Sequence, residues 1–154
     1  MPDNVAPSMI LQLVSVTGEK FNEQIYGVVL PTTTGEISVF PDHENLVTLA
    51  APGIITVRRH RTDPDSALEF FATSGGIIEI SRSLVRVLVD EADHGADIIE
   101  EKTRAALQKA IDFREQAAND GDLESLANAQ KIISSHQIKL KVAGLQRRAK
   151  NLRH

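Results

Sequence analysis

The fold is decided by residues 83–104, SLVRVLVDEADHGADIIEEKTR, where the hydrophobic pattern changes its period. Residues 83–89 place Leu and Arg at alternate positions between three valines, as expected for a β-strand whose successive side chains point to opposite faces. From Asp97 onward the period is helical, and neither Gly nor Pro interrupts the chain before Gly121. The sequence therefore predicts a β region followed by helices, with the change near residue 90.

The β region begins at Met9 and consists of short runs rich in Val, Ile, Thr and Phe, separated by Gly and Pro. The runs are MILQLVSV, the pair FNEQIYGVVLPT, GEISVF, NLVTLA, IITVRRHR, ALEFFAT, GIIEIS and SLVRVLV. Strands this short, with turns at this spacing, are typical of an all-β antiparallel sandwich or flattened barrel. We interpret Ser74-Gly75-Gly76 as a turn that needs positive φ between two strands.

Two helices are predicted after residue 96. Asp97 has the position of an N-cap, with Glu100 three residues later as in a capping box, and the first helix then extends to about Ala118. Its predicted apolar stripe is Ala106, Ala110, Phe113 and Ala117. The turn that follows ends at Asp122, which we expect to cap a second helix. The predicted stripe of that helix is Ile138, Val142, Leu145, Ala149 and Leu152. So short a connection predicts an antiparallel hairpin.

Composition excludes several classes of protein. The 154 residues contain no cysteine, which excludes a disulfide scaffold, a Cys-ligated zinc site, an iron–sulfur cluster and a thiol nucleophile. No apolar stretch approaches the roughly 20 residues of a membrane helix, and residues 1–9 lack the features of a signal peptide, so we expect a cytoplasmic protein.

No catalytic motif is present. The sequence has no GxxxxGK[ST], GxGxxG or GxSxG pattern, and its five histidines do not have metal-ligand spacing, so we predict neither an active site nor a metal site. His43 follows Pro41-Asp42, which we interpret as a polar turn. The six aromatic residues are not interleaved with bases, and the net charge is −4, so nucleic-acid binding by the last helix is a disfavoured alternative.

Charge is segregated along the helical half. Residues 90–101 contain six acids and no base, and after Glu124 there is no acid at all. Seven bases follow Glu124: Lys131, Lys139, Lys141, Arg147, Arg148, Lys150 and Arg153. This pattern fits either a solvated helix face or contact with an acidic partner.

Several stretches resemble the epsilon subunit of F-type ATP synthase. Residues 35–43, GEISVFPDH, resemble that family's G-E-x-G-[IV]-x-P-x-H motif, and LVTL at 46–49 followed by Pro52-Gly53 resembles its PLLT…PG continuation. Residues 74–80, SGGIIEI, are similar to its SGGxxEV pair, and residues 85–90 to its VTVLAD strand. From about Met9 to the C-terminus the chain is identified as a member of this family.

The resemblance implies a non-catalytic rotor subunit of the central stalk, which couples proton translocation to ATP synthesis from ADP and phosphate. It divides the chain into an N-terminal extension (1–8), a β sandwich (9–92) that binds the gamma subunit and the rotor c-ring, and a regulatory helical hairpin (93–154). The hairpin would inhibit ATP hydrolysis by extending towards the alpha and beta subunits. The implied location is peripheral, at the cytoplasmic face of the bacterial plasma membrane, with membrane contact only through the complex.

The resemblance also assigns site residues. Glu36, Pro41, Asp42 and His43 are the expected contacts with the rotor ring and gamma. The expected regulatory bases of the last helix are Lys139, Lys141, Arg147, Arg148 and Lys150.

Some family members bind ATP through an [IL]-D-x-x-R-A motif, and a free-standing nucleotide sensor is the alternative function. The corresponding residues 100–105, EEKTRA, keep Arg104 and Ala105 but carry Glu101 for the Asp. The two second-helix arginines fall on Ser135 and Lys139. Lysine lacks the guanidinium fork, and Glu100 repels phosphate. We therefore expect no bound cofactor and disfavour ATP, while Glu101, Arg104, Ala105 and Lys139 remain the candidate contacts.

Overall fold

A computed structural model describes residues 7–153. The predicted extension, residues 1–8, therefore lies largely outside the described residues. The ten strands are β1 Met9–Ser15, β2 Gly18–Ile25, β3 Gly27–Thr32, β4 Gly35–Val39, β5 Leu46–Ala50, β6 Gly53–Arg58, β7 Glu69–Thr73, β8 Gly76–Ile80, β9 Leu84–Val89 and β10 Ala92–His94. The helices are α1 Glu100–Asp120 and α2 Leu123–Asn151, and short 3-10 turns occupy Asp65–Ala67 and Gly95–Asp97.

The strands form one continuous sheet that folds over itself into two layers. Its order is β10-β7-β6-β3-β5-β8-β9-β1-β2, with β4 paired to β3. Large apolar side chains of both layers meet in one core, which includes Leu11, Leu30 and Phe71. The predicted sandwich or flattened barrel followed by a helical hairpin is confirmed.

Two details of the sheet differ from the prediction. The β1–β9 pair is parallel, whereas an antiparallel sheet was expected. No tight turn joins these two strands, so hairpin geometry does not fix their relative direction. Strand β10, which pairs with β7, was not predicted, because its three residues carry no strand pattern of their own.

Gly75 and Gly76 serve a purpose other than the predicted one. Neither has a positive φ, so the predicted left-handed turn is wrong. A Cβ at Gly76 would lie 1.9 Å from the carbonyl oxygen of Leu88, and the close approach of β9 therefore explains why glycine stands there.

The helix ends differ in how well the sequence predicted them. Asp122 caps α2 as expected, since its carboxylate accepts hydrogen bonds from the Ser125 amide (3.1 Å) and hydroxyl (2.7 Å). The Ser125 hydroxyl and then its amide lower the pKa of Asp122. The predicted cap at Asp97 is wrong, because α1 begins at Glu100 and Asp97 belongs to the preceding 3-10 turn. That turn is fixed by the His94 side chain, which accepts a hydrogen bond from Ala96 N.

The predicted apolar stripes are partly correct. Ala110 and Ala117 are buried on α1, but Phe113 is 50% exposed. At about 100° per residue, Phe113 lies roughly 60° from Ala110 around the helix, beside the seam between the helices. On α2, Val142 and Ala149 are buried, whereas Leu152 is 73% exposed because it follows the last helical residue.

Candidate functional site

The outer face of one sandwich layer is apolar and uncovered by the rest of the described chain. It spans β5, β8, β9 and β1, where Leu49 pairs with Ile77 and Ile77 with Leu88 across adjacent strands. Their exposed fractions are 57%, 43% and 38%, and Val47 two residues away is 72% exposed. We call this surface the outer sheet face; its exposed apolar residues are Ile10, Val16, Val47, Leu49, Ile77 and Leu88. A contiguous exposed apolar patch of this kind marks an interaction surface in soluble proteins.

A polar row crosses the outer sheet face. Arg86 Nε donates to Gln12 Oε1 at 3.0 Å, and Arg86 Nη1 lies 3.4 Å from Glu79 Oε2. The three side chains come from β9, β1 and β8, so they share one row between the apolar ones. This row gives the face a fixed pattern of charge as well as apolar area.

The four residues expected to contact the rotor ring do not form one cluster. Glu36 is exposed at the start of β4, whereas Pro41, Asp42 and His43 follow its far end. At a rise of about 3.3 Å per residue, Glu36 and Pro41 are roughly 16 Å apart along the strand. Asp42 has a φ of 66°, and its amide donates to the Arg82 carbonyl at 3.1 Å.

The His43 ring is hydrogen-bonded to the backbone. Its Nδ1 lies 2.8 Å from the carbonyl oxygen of Glu44, to which it donates. The interpretation of this stretch as a polar turn, rather than an Asp–His pair, agrees with that geometry.

Helix α2 covers the outer face of the other layer. Val142 and Ala149 pack with Phe70 and Ala72 of β7, surrounded by partly buried apolar residues. Polar contacts flank this cluster: Lys139 Nζ lies 3.6 Å from both Glu91 and Asp93 carboxylates, and Arg153 Nε donates to Ser66 O at 2.7 Å. The hairpin is therefore docked on β6 and β7 through one helix.

A cavity of about 690 Å³ lies between α2 and the sandwich. Ser135 and Lys139 line it, together with Asp90, Glu91 and Asp93. Glu101, Arg104 and Ala105 do not line it, and Arg104 lies 3.9 Å from Glu100. The structure therefore does not bring the candidate nucleotide contacts of α1 to the cavity that holds Lys139.

The remaining predicted regulatory bases lie on α2 in different environments. Arg147 forms an ion pair with Glu100 of α1. Lys141, Arg148 and Lys150 are exposed. Arg147 thus contributes to the docked hairpin itself, whereas the exposed bases face solvent.

A partly buried ionic network joins β7 to the segment before α1. Glu69 binds Arg59, which also pairs with Glu23, and His94 Nε2 lies 3.2 Å from Glu69 Oε1. Burial alone would raise the pKa of Glu69, but hydrogen bonds from His94 and Arg59 and the charge of Arg59 outweigh it and hold the pKa at about 2. The hydrogen bond with Glu69 raises the pKa of Arg59 despite partial burial. All four members of this network belong to the β region, and none of them lies on α1 or α2.

His136 on α2 has a different electrostatic setting. Its Nδ1 is buried without a hydrogen-bond partner among the described residues. Burial and then the charge of Lys139 lower its pKa, against the opposing effect of Glu91.

Neither a membrane span nor a metal site is found in the described part of the chain. None of the helices between residues 7 and 153 combines the length and apolar character needed to cross a bilayer. No group of three or more His, Asp or Glu side chains in the same residues could hold a metal ion.

Sequence reasoning missed the outer sheet face, although a signal was present. In β9, Leu84 and Leu88 alternate with Val85, Val87 and Val89, so both faces of the strand are largely apolar. Antiparallel strands with one solvated face alternate apolar and polar residues. Leu84 and Leu88 are therefore the sequence signal of the outer sheet face.

Comparison with known proteins identifies the family. The family model described as "ATP synthase, Delta/Epsilon chain, beta-sandwich domain" matches residues 8–95. An ATP synthase epsilon chain of Nitrosococcus oceani is 34% identical over 69% of this chain and 73% of the relative, and one of Polaromonas naphthalenivorans is 30% identical over 83% and 89%.

Solved structures agree on the fold. A chain from the Euglena gracilis mitochondrial ATP synthase, solved as an OSCP/F1/c-ring assembly, gives a TM-score of 0.72 at 22% identity, covering 93% of this chain and 85% of that one. A chain from the central stalk and c-ring of the Tetrahymena thermophila mitochondrial enzyme gives 0.51 at 13% identity, covering 88% and 96%. With the sandwich, the hairpin and relatives over most of its length, the chain belongs to the family of ATP synthase epsilon chains, non-catalytic subunits of that complex.

Proposed function

We propose that this chain is a rotor subunit of the central stalk, which couples proton translocation to ATP synthesis and restrains ATP hydrolysis through its hairpin. The observation that carries the coupling role is the outer sheet face. Leu49, Ile77 and Leu88 form one exposed apolar row across three strands, and apolar area of this extent is stabilised by a partner surface. We assign this surface to the gamma subunit.

A binding experiment with purified gamma subunit tests this assignment. Leu49→Glu with Ile77→Glu places two charges in the row and should reduce co-purification with gamma at least tenfold, because burying unpaired charge is costly. Phe113→Glu is the matched control, since Phe113 is 50% exposed but lies on α1. Equal recovery of gamma with both variants, at equal thermal stability, would remove the outer sheet face from the interface.

The rotor-ring contact is proposed at two places and not as a single patch. Glu36 and the Pro41–His43 turn lie at opposite ends of β4, which pairs only with β3 among the described strands. We therefore propose that the ring contacts them independently. Glu36→Gln and His43→Ala should each weaken proton-coupled ATP synthesis, and the double variant should show the product of the two effects. If the double variant loses no more ATP synthesis than the more impaired of the two single variants, the residues act at one contact.

The regulatory role rests on how the hairpin is held. One helix docks on the sandwich through a small apolar cluster, flanked by the partly exposed ion pairs of Lys139 with Glu91 and Asp93. Contacts of this kind are weak enough to be exchanged for contacts with the alpha and beta subunits. ATP hydrolysis by the assembled complex should rise when the residues after Asp97 are removed. An unchanged rate would leave the coupling role without the regulatory one.

The location follows from the same assignment. As a stalk subunit the chain would be peripheral, at the cytoplasmic face of the bacterial plasma membrane, and held there by gamma and the ring. Fractionation with and without gamma tests this. The chain should leave the membrane fraction when gamma is absent.

A further inference from the structure

One edge of the sandwich is completed by a side chain instead of a strand. Strand β10 pairs with β7 only as far as His94, which lies opposite Phe71. The chain then turns away at Gly95 into a 3-10 turn. On the edge of β7 that faces β10, the backbone groups on either side of Glu69 therefore have no partner from β10.

Gln146 of α2 occupies that place. Phe70 N donates to Gln146 Oε1 at 3.0 Å, and Gln146 Nε2 donates to Leu68 O at 3.2 Å. A carbonyl and an amide that flank one residue are the pair that a single residue of a parallel neighbouring strand would bind. A side-chain amide carries the same acceptor and donor. Gln146 therefore continues the sheet by one residue.

Gly95 provides the room for this side chain. A Cβ at Gly95 would lie 2.8 Å from Gln146 Cβ and 3.2 Å from both Cγ and Oε1. Gly95 is buried, and its φ is not positive, so backbone conformation does not require glycine there. Close contact with Gln146 does require it. Gly95 and Gln146 lie far apart in the sequence, and each is suited to the close contact between them.

The hydrogen bonds of Gln146 are directional, unlike the apolar contacts beside them. The apolar cluster of Phe70, Val142 and Ala149 tolerates sliding, because burial is not directional. The two hydrogen bonds of Gln146 are directional and bind backbone groups that would otherwise lose their partners in a partly buried site.

We propose that Gln146 is a latch that holds the regulatory hairpin in its docked position on the edge of β7. The inference rests on the proposed regulatory function and names the contact that sets its resting state. When α2 leaves the sandwich, Leu68 O and Phe70 N lose their partner together. The docked hairpin is therefore favoured by two hydrogen bonds to the backbone at the start of β7. Within residues 7–153, no other helix residue bonds to Leu68 O or Phe70 N.

The test uses the full-length isolated chain. Hydrogen exchange of the Phe70 amide reports the bond itself. Because the chain has no cysteine, two introduced ones carry spin labels that report docking, at exposed Lys141 on α2 and exposed Asn22 on β2. Gln146→Ala should raise the undocked population about tenfold or more, as loss of two hydrogen bonds with their partners left unpaired implies. The Phe70 amide should exchange faster by a similar factor.

Two further variants keep the result interpretable. Gly95→Ala should have the same effect from the opposite side, without changing Gln146, because its Cβ displaces that side chain. Gln137→Ala is the matched control, since Gln137 lies on the exposed side of the same helix. It should behave as the parent does.

The outcomes separate this inference from the proposed function. Faster exchange at Phe70 with unchanged label distances would overturn the latch, because Gln146 would then only satisfy the sheet edge. Unchanged exchange in Gln146→Ala would overturn it as well. If the labels separate as expected but the assembled complex hydrolyses ATP at the parent rate, the latch stands and the regulatory function falls.

Discussion

The sandwich and the hairpin are stabilised by side chains of different size. In the sandwich, Leu11, Leu13 and Leu30 are fully buried, and both layers supply large residues to one core. In the hairpin, the buried residues that face the other helix are mainly alanines, such as Ala110 and Ala117. Each buried methylene contributes about 0.8 kcal/mol, so an alanine seam contributes much less than a leucine core.

This difference assigns a role to each part. A domain with its own core of large residues keeps its shape when its neighbours change, as a docking platform must. A hairpin with a thin seam depends on the surface it lies against, and can therefore exchange one surface for another. We expect the two parts to unfold as separate units, and the predictions below test that expectation.

The largest effect is expected from Leu13→Ala. Leu13 is fully buried, so its truncation should lower the free energy of unfolding of the sandwich by about 2–5 kcal/mol. Ile133→Ala is the matched change in the hairpin, where Ile133 is 2% exposed on α2. It should weaken only the helices. The chain has one tyrosine, Tyr26 beside Phe40 in the sandwich, so tyrosine fluorescence follows the sandwich while helical circular dichroism follows the hairpin.

One result would contradict separate unfolding of the sandwich and the hairpin. If Ile133→Ala shifts the tyrosine transition as far as the helical one, the two parts unfold together. The sandwich and the hairpin would then form one cooperative unit.

The second effect depends on pH and arises in the ionic network around Glu69 in the sandwich. The pKa of Glu69 is held at about 2 against a usual 4.5, so its stabilisation is complete above pH 4.5 and is lost as the pH falls towards 2. Glu69→Gln should cost about 2–3 kcal/mol at neutral pH, and the difference from the parent should shrink below pH 4.5. Denaturant titrations at several pH values measure it.

Glu79→Gln is the control for Glu69. Its ion pair with Arg86 is 45% exposed on the Glu79 side, so the cost should stay below about 1 kcal/mol. Equal costs for the two variants would show that the network around Glu69 contributes no more than a surface pair.

The sequence predicted what depends on neighbouring residues. The strand runs follow from alternation and turn residues, and the Asp122 cap from bonds made within four residues. It could not predict contacts between distant segments. The contact of Gln146 with Phe70 and Leu68 joins segments more than 70 residues apart, and no local pattern indicates it.

The candidate sites show the same limit. The sequence indicated the strand runs, but only the sheet order shows that Leu49, Ile77 and Leu88 form one row. A motif placed Glu36 and His43 together in sequence, whereas an extended strand separates them in space. The resemblance supplied the family, and the three-dimensional arrangement was needed for the surfaces.

The third effect concerns the bases of α2. Arg147 pairs with Glu100 in the docked hairpin, so its removal would affect both conformations. Arg148 and Lys150 are exposed and form no ion pair among the described residues. Arg148→Ala with Lys150→Ala should therefore raise ATP hydrolysis by the assembled enzyme about twofold to tenfold, through loss of contacts worth about 0.2–1 kcal/mol each.

Salt and a charge-matched control complete this test. The increase should shrink at high ionic strength, where screening already weakens exposed pairs. Lys102→Ala with Lys109→Ala removes two exposed bases from α1 and should leave the rate unchanged. If both double variants behave alike at low salt, the bases of α2 are only a solvated face.

The smallest effect is expected when ATP is added to the isolated chain. The cavity beside α2 is lined by Asp90, Glu91 and Asp93, and the Lys139 amine already lies 3.6 Å from the last two. A triphosphate would have to displace these carboxylates or lie among them, so we expect a dissociation constant weaker than about 1 mM in calorimetric titration. Ser135→Arg restores a guanidinium fork to the cavity wall and should tighten binding measurably, which Ser134→Arg next to it controls for position. Low-micromolar binding by the parent would mean that the hairpin opens to a second arrangement in which Arg104 leaves Glu100 and reaches the phosphates, and Arg104→Ala should then abolish that binding.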